Sequence, residues 1–183
     1  MVATAIEQPA AVLNSPRRII NVPDFSYIRR VTSDLLVANG ITEPPVDAYV
    51  IAQNCGVRVT YVEFMDEHKG IAGLIECDGK DIAINSEMTD EQCNYAIAHE
   101  LGHSVLGHEI CGESQEYSFL YRDLLRQKQT HMLQEARFFA MHLLMPDAML
   151  CDYLENFPFA TDEQLADIFD VPVEILKLRR QYF

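Results

Sequence analysis

From Thr89 to Gly107 the chain carries the stretch that leaves it least freedom in how to fold. Ile97, Leu101 and Val105 recur every fourth residue. At ~100° per residue in an α-helix, this apolar stripe lies roughly 200° round from His99. Thr89-Asp90-Glu91-Gln92 has the form of a capping box with acids in the first turn, which marks a helix start, and Gly107 marks the stop. One face of this helix is expected to enter a core while the opposite face presents His99 and His103. The two histidines enclose a glutamate in the order His99-Glu100-Leu101-Gly102-His103, the His-Glu-x-x-His arrangement in which two imidazoles hold zinc. One turn apart, both rings reach one ion, whereas Glu100 falls on the flank of that face and is placed to reach a water rather than the ion.

Catalytic zinc takes three protein ligands and leaves a fourth position open. Downstream, Glu135 opens the otherwise apolar segment Glu135-Ala136-Arg137-Phe138-Phe139-Ala140-Met141-His142-Leu143-Leu144, where an unpaired carboxylate is expensive. That makes it the natural third ligand. His108, His131 and His142 are its rivals; His131 and His142 fit equally as groups that orient Glu135 from behind, or as surface residues.

With 183 residues the chain has room for one domain with a sizeable core. A net charge of −14 weighs against non-specific nucleic-acid binding and against anionic membranes, and favours a basic partner. The cysteines, Cys55, Cys77, Cys93, Cys111 and Cys151, are odd in number and form no Cys-x-x-Cys pair, so neither a disulfide framework nor a zinc knuckle is expected. Cys111 lies near the site in sequence and suits a redox switch, although an idle thiol is the commoner case. The first residues lack the basic and apolar regions of a signal peptide, and no stretch approaches the ~20 apolar residues of a membrane span. A cytoplasmic location is the expectation.

Residues 1–22, punctuated by Pro9 and Asn14-Ser15-Pro16, read as a flexible tail, and 23–183 as a single domain. A first helix is predicted from Phe25 to Ala38, ending at Asn39-Gly40, and a second from Pro44-Pro45 to Cys55-Gly56. Residues 57–62 alternate as a strand, and 71–76 and 81–85 form a hairpin across Asp78-Gly79. Together they predict a small antiparallel sheet, whose edge either pairs with an extended substrate or is plain architecture. The polar and aromatic segment 108–128 has helix potential in Phe119, Leu120, Leu124 and Leu125 and the length of a cleft cover. Within it Tyr117 and Tyr121, and beyond it His131, are possible donors to a reacting carbonyl. Residues 161–183 read as two short amphipathic helices in helix-turn-helix order. Five acids (Asp162, Glu163, Asp167, Asp170 and Glu174) against Lys177, Arg179 and Arg180 favour a closing pair or a protein-docking surface over DNA contact.

The motif within "IAHELGHSVLGH", followed by "EARFFAMHLLMP", resembles the ImmA/IrrE family of bacterial and phage metallopeptidases, and the order of elements from "PPVDAYVIAQNCGVRV" onwards agrees over roughly residues 25 to 180. The resemblance implies an α+β zincin-like domain with His99, His103 and Glu135 as zinc ligands, although another divalent metal is possible, and Glu100 as catalytic acid/base. It also implies a helix-turn-helix repressor as substrate. The family commonly has Asn where this chain has Arg137. Two other readings remain: a regulator that binds a repressor without cutting it, and a toxin or effector of a mobile element.

Overall fold

In a computed structural model, residues 23–65, 70–76, 78–108 and 131–182 are described. Helix α1 (Phe25–Ala38) starts where the Asp24 side chain accepts from Tyr27 N–H and buries Ile28, Val31, Leu35 and Leu36, an i, i+3, i+7, i+8 stripe. It ends at Asn39, with Gly40 at φ +66°. Helix α2 (Ala48–Asn54) begins later than the Pro44-Pro45 pair suggested, because Asp47 is the cap: its carboxylate accepts from Val50 N–H at 3.1 Å.

Strands β1 (Arg58–Val62), β2 (Gly73–Ile75) and β3 (Asp81–Asn85) form one sheet in the order β1-β3-β2. The hairpin expectation holds: β2 and β3 are antiparallel, with Gly73 opposite Ile84, and Gly79 takes φ +69° in the turn. The sheet as a whole is mixed, however, because β1 lies parallel to β3, Arg58 facing Asp81 and Val62 facing Asn85. A parallel neighbour needs a crossover of a dozen or so residues, and the chain between β1 and β3 supplies it by placing β2 on the far side.

Helix α3 (Asp90–Leu106) carries the His-Glu-x-x-His stretch. Gln92 accepts from Thr89 N–H at 3.2 Å in the anticipated capping box, and Gly107 closes the helix at φ +65°. Ile97, Leu101 and Val105 are buried as expected, but so is nearly every other side of the helix. The sheet and α2 pack on part of it, and α4 (His131–Leu144) covers the histidine side. That contact is close because residue 102 is glycine: a Cβ there would lie 3.0 Å from Phe139 Cδ1 and 3.2 Å from Ala136 Cα. Helix α1 packs on α4 in turn. Ser104 Oγ donates to Gly79 O at 2.6 Å, which ties the hairpin turn to α3.

Helix α5 (Asp147–Asn156) has no counterpart in the sequence reading, although Pro146 followed by an acid is a good helix opening. Helices α6 (Asp162–Phe169) and α7 (Val173–Arg179) follow, then a short 3₁₀ turn, Arg180–Tyr182. Leu165, Phe169, Ile175 and Leu176 of this pair are fully buried in the common core. Buried Asn94 of α3 joins three segments, accepting from Ala48 N–H and donating to the carbonyls of Val46 and Asp170 at 3.0–3.1 Å. Arg179 donates to Met145 O at 3.1 Å and to Asp147, so the last helix is bonded to the turn between α4 and α5. The mixed α+β architecture agrees with expectation, and no helix among the described residues is long and apolar enough to cross a membrane.

Candidate metal centre

Periodicity places His99 and His103 on one side of α3, and the structure brings their Nε2 atoms to 3.3 Å. Two nitrogens bound tetrahedrally to one ion at 2.0–2.1 Å stand about 3.3–3.4 Å apart, so the rings already hold the spacing that one zinc ion asks of them. Both side chains are buried, at 3% and 2% exposure. Burial is the main reason that His99 is held well below the ordinary imidazole pKa, with the neighbouring charges of His103, Arg137 and His108 adding to it. His103 is pushed down to about 3, again by burial first and then by His108. Near neutral pH both rings are therefore uncharged and have lone pairs to offer. Glu100, the next residue after His99 on the helix, is also buried, at 3% exposure.

Glu135 comes from the first turns of α4, opposite α3. One carboxylate oxygen accepts from Asp24 N–H at 3.2 Å, just before α1, and the other accepts from His108 at 2.9 Å. His108 in turn has its Nδ1 2.9 Å from Nδ1 of His103. Three elements and the residue just past Gly107 thus converge here. Of the rivals to Glu135, His108 enters the site. His131 is exposed at the start of α4, and His142 is bonded through Nδ1 to Phe138 O at 2.9 Å, with its other nitrogen 3.8 Å from Asp147. Cys111, Tyr117, Tyr121 and the cleft cover expected in 108–128 lie outside the described residues, His108 excepted.

Arg137, two residues past Glu135, is buried, and its charge acts on His99. It also hydrogen-bonds the hydroxyl of Tyr95, one turn before His99 on α3; burial pushes that phenol up to about 12. Neither this contact nor the Asp24 contact was visible in the sequence, since each joins positions far apart in the chain. The His108 contact did have a local signal. Gly107 N–H donates to Ser104 O at 3.1 Å and His108 N–H to His103 O at 3.0 Å, the paired bonds of a Schellman ending. That motif returns the residue after the glycine to the side of the one five places before it. A second carboxylate group, Glu76, Asp78 and Asp81, surrounds the hairpin turn; it is largely solvated, and Arg58 pairs with Asp81 at 2.7 Å.

The arrangement has the parts of a hydrolytic metal centre: two neutral nitrogens at ligand spacing, a carboxylate across from them, and a second buried carboxylate beside the first histidine. A family model described as the IrrE N-terminal-like domain, Peptidase_M78, matches residues 52–180. None of the curated proteins compared with the chain matches it.

Proposed function

The chain belongs to the IrrE N-terminal-like peptidase family, and from that premise we propose that it is a zinc-dependent endopeptidase that cuts a protein substrate, a helix-turn-helix transcriptional repressor. In this reading His99, His103 and Glu135 hold the metal and Glu100 is the general acid/base. The observation that carries it is the 3.3 Å approach of two buried, uncharged imidazole nitrogens, one residue away from a buried carboxylate. The residues fit the ion: nitrogen and carboxylate ligands suit zinc, and both histidines are kept deprotonated for it.

The metal supplies Lewis acidity, which acidifies water and polarises a peptide carbonyl. The protein supplies the rest. Glu100 takes the proton from the attacking water and passes it to the departing amine. Because its backbone is fixed in the same helical turn as His99, the distance between base and metal site does not depend on a loop. Burial of all these side chains excludes bulk water, which strengthens every charge interaction at the site. A net charge of −14 is complementary to the basic surface with which a repressor grips DNA, and it supports a protein rather than nucleic acid or an anionic membrane as partner; the location proposed is the cytoplasm.

The test compares zinc-loaded wild type with Glu100→Gln in lysate of the source cell, reading new protein N-termini by mass spectrometry. The variant is expected to keep its zinc and to lose cleavage by about 10²–10⁴-fold. New termini seen only with wild type would name the substrate. Equal cleavage by both proteins would overturn the role of Glu100. An absence of new termini with either, even when purified repressor is added, would overturn the peptidase reading in favour of a regulator that binds without cutting.

A further inference from the structure

Of the residues around the site, His108 is the one whose contacts do more than the ligand set requires. Gly107 is in the left-handed region, and the Schellman bonds to Ser104 O and His103 O turn the chain back under α3. The apolar contact that usually accompanies this motif is here an imidazole on an imidazole: the His103 and His108 rings meet edge-on with centroids 4.8 Å apart and Nδ1 atoms 2.9 Å apart. The far nitrogen of His108 lies 2.9 Å from Glu135 Oε2, and its side chain is 1% exposed. Water does not compete for either nitrogen.

The protons along this row are not free to choose. An ionised carboxylate only accepts, so the proton that His108 turns to Glu135 is on Nε2. A metal held by the paired Nε2 atoms of His99 and His103 needs a lone pair on His103 Nε2, which puts the proton of His103 on Nδ1. His108 Nδ1, 2.9 Å away, is the acceptor for that proton. Accepting from His108 uses one lone pair of Glu135 Oε2 and leaves others for an ion. From this we infer that His108 is a positioning residue: it locks His103 into its metal-binding tautomer and couples that ligand to Glu135 across the α3–α4 contact. The inference rests on the reading of His103 and Glu135 as ligands. His142, by contrast, bonds through Nδ1 to Phe138 O of its own helix. His108 instead joins one proposed ligand on each helix.

The experiment measures zinc affinity by competition with a chromophoric chelator for wild type, His108→Leu, His108→Asn and His103→Ala. It also determines which nitrogen of His103 carries the proton, by ¹⁵N NMR of the zinc-loaded forms. His108→Leu removes both bonds and is expected to weaken zinc about 10–100-fold, the range for loss of a group that orients a ligand. His108→Asn keeps an acceptor for the Nδ1 proton of His103 and is expected to recover most of that loss, with the proton on Nδ1 as in wild type. His108→Leu binding zinc as tightly as wild type would overturn the inference. Complete loss of binding in Leu and Asn variants alike would also overturn it, since His108 would then be a ligand itself. If the ligand reading is what fails, His103→Ala shows it separately by binding zinc like wild type.

Discussion

Replacing Gly102 with alanine should damage the metal centre from behind, although the new methyl touches no proposed ligand. In isolation the change favours the helix by about 1 kcal/mol, because glycine is the poorer helix former. In place, the Cβ would meet Phe139 Cδ1 at 3.0 Å, Phe139 Cγ at 3.2 Å and Ala136 Cα at 3.2 Å. Phe139 and Ala136 are both fully buried, and one of the three contacts is main chain, so the neighbours have little room to retreat. Overpacking of this kind costs about 1–3 kcal/mol, and with a buried ring and a backbone atom both in the way the upper half applies. The net expectation is a loss of about 1–2 kcal/mol, or roughly 3–6 °C in Tm for a chain of this size, read by calorimetry on the chelator-treated protein. Helix α4 relieves the clash by moving a few tenths of an ångström from α3, and it takes Glu135, the neighbour of Ala136, with it. Zinc affinity should therefore fall about tenfold, the lower end for disturbing a ligand's support. A Gly102→Ala protein as stable as wild type and equal to it in zinc affinity would refute the claim that the α3–α4 approach sets the site.

Two further perturbations test the frame around the centre. Asn94→Ala deprives Ala48 N–H and the carbonyls of Val46 and Asp170 of a shared partner and should cost about 2–4 kcal/mol in urea unfolding, whereas an effect below 0.5 would mean that water replaces it. His142 is pushed down to about 4 by burial first and then by Arg179, with Arg29 acting the same way and Asp147 and the Phe138 carbonyl opposing it. An imidazole with a lowered folded pKa destabilises as pH falls, because the unfolded chain takes up the proton first. Its contribution is whole above the ordinary 6.5 and is lost between there and about 4, reaching about 2 kcal/mol at pH 5. Between pH 7 and 5, His142→Gln should lose correspondingly less stability than wild type in the metal-free state, and parallel pH profiles for the two would refute this.

What could be read from the sequence and what could not divide along a physical line. The span of α3, its cap at Thr89 and its stop at Gly107 depend on bonds between residues a few places apart, and so does the β2–β3 turn at Gly79. These were legible. The burial of the ligand-presenting side of α3 was not legible, because helical periodicity registers Ile97, Leu101 and Val105 but cannot see that α4 will cover the opposite side. The parallel partnership of β1 with β3 was hidden for the same reason: alternation fixes which faces a strand presents and says nothing of its neighbour's direction. At the site, His99, Glu100 and His103 stand out by spacing alone, and Glu135 stands out as a carboxylate opening an otherwise apolar segment, a reading with which the resemblance to a family agrees. The contacts of Glu135 with Asp24 and of Arg137 with Tyr95 belong to tertiary packing, and no local rule announces them.

The guanidinium of Arg179 has a bearing on how such a protein is made. It is fully buried, and it reaches back to Met145 O and Asp147 at the end of the helix that carries Glu135. During synthesis the chain leaves the ribosome from its first residue onward, so His99, Glu100, His103 and Glu135 all emerge before the group that fastens their supporting helix. A nascent chain therefore displays the full set of chemical groups while the far end of α4 is still unsecured. The end of α4 is thus fastened only when residue 179 has folded back onto it, which makes the frame behind Glu135 one of the last parts of the chain to be completed.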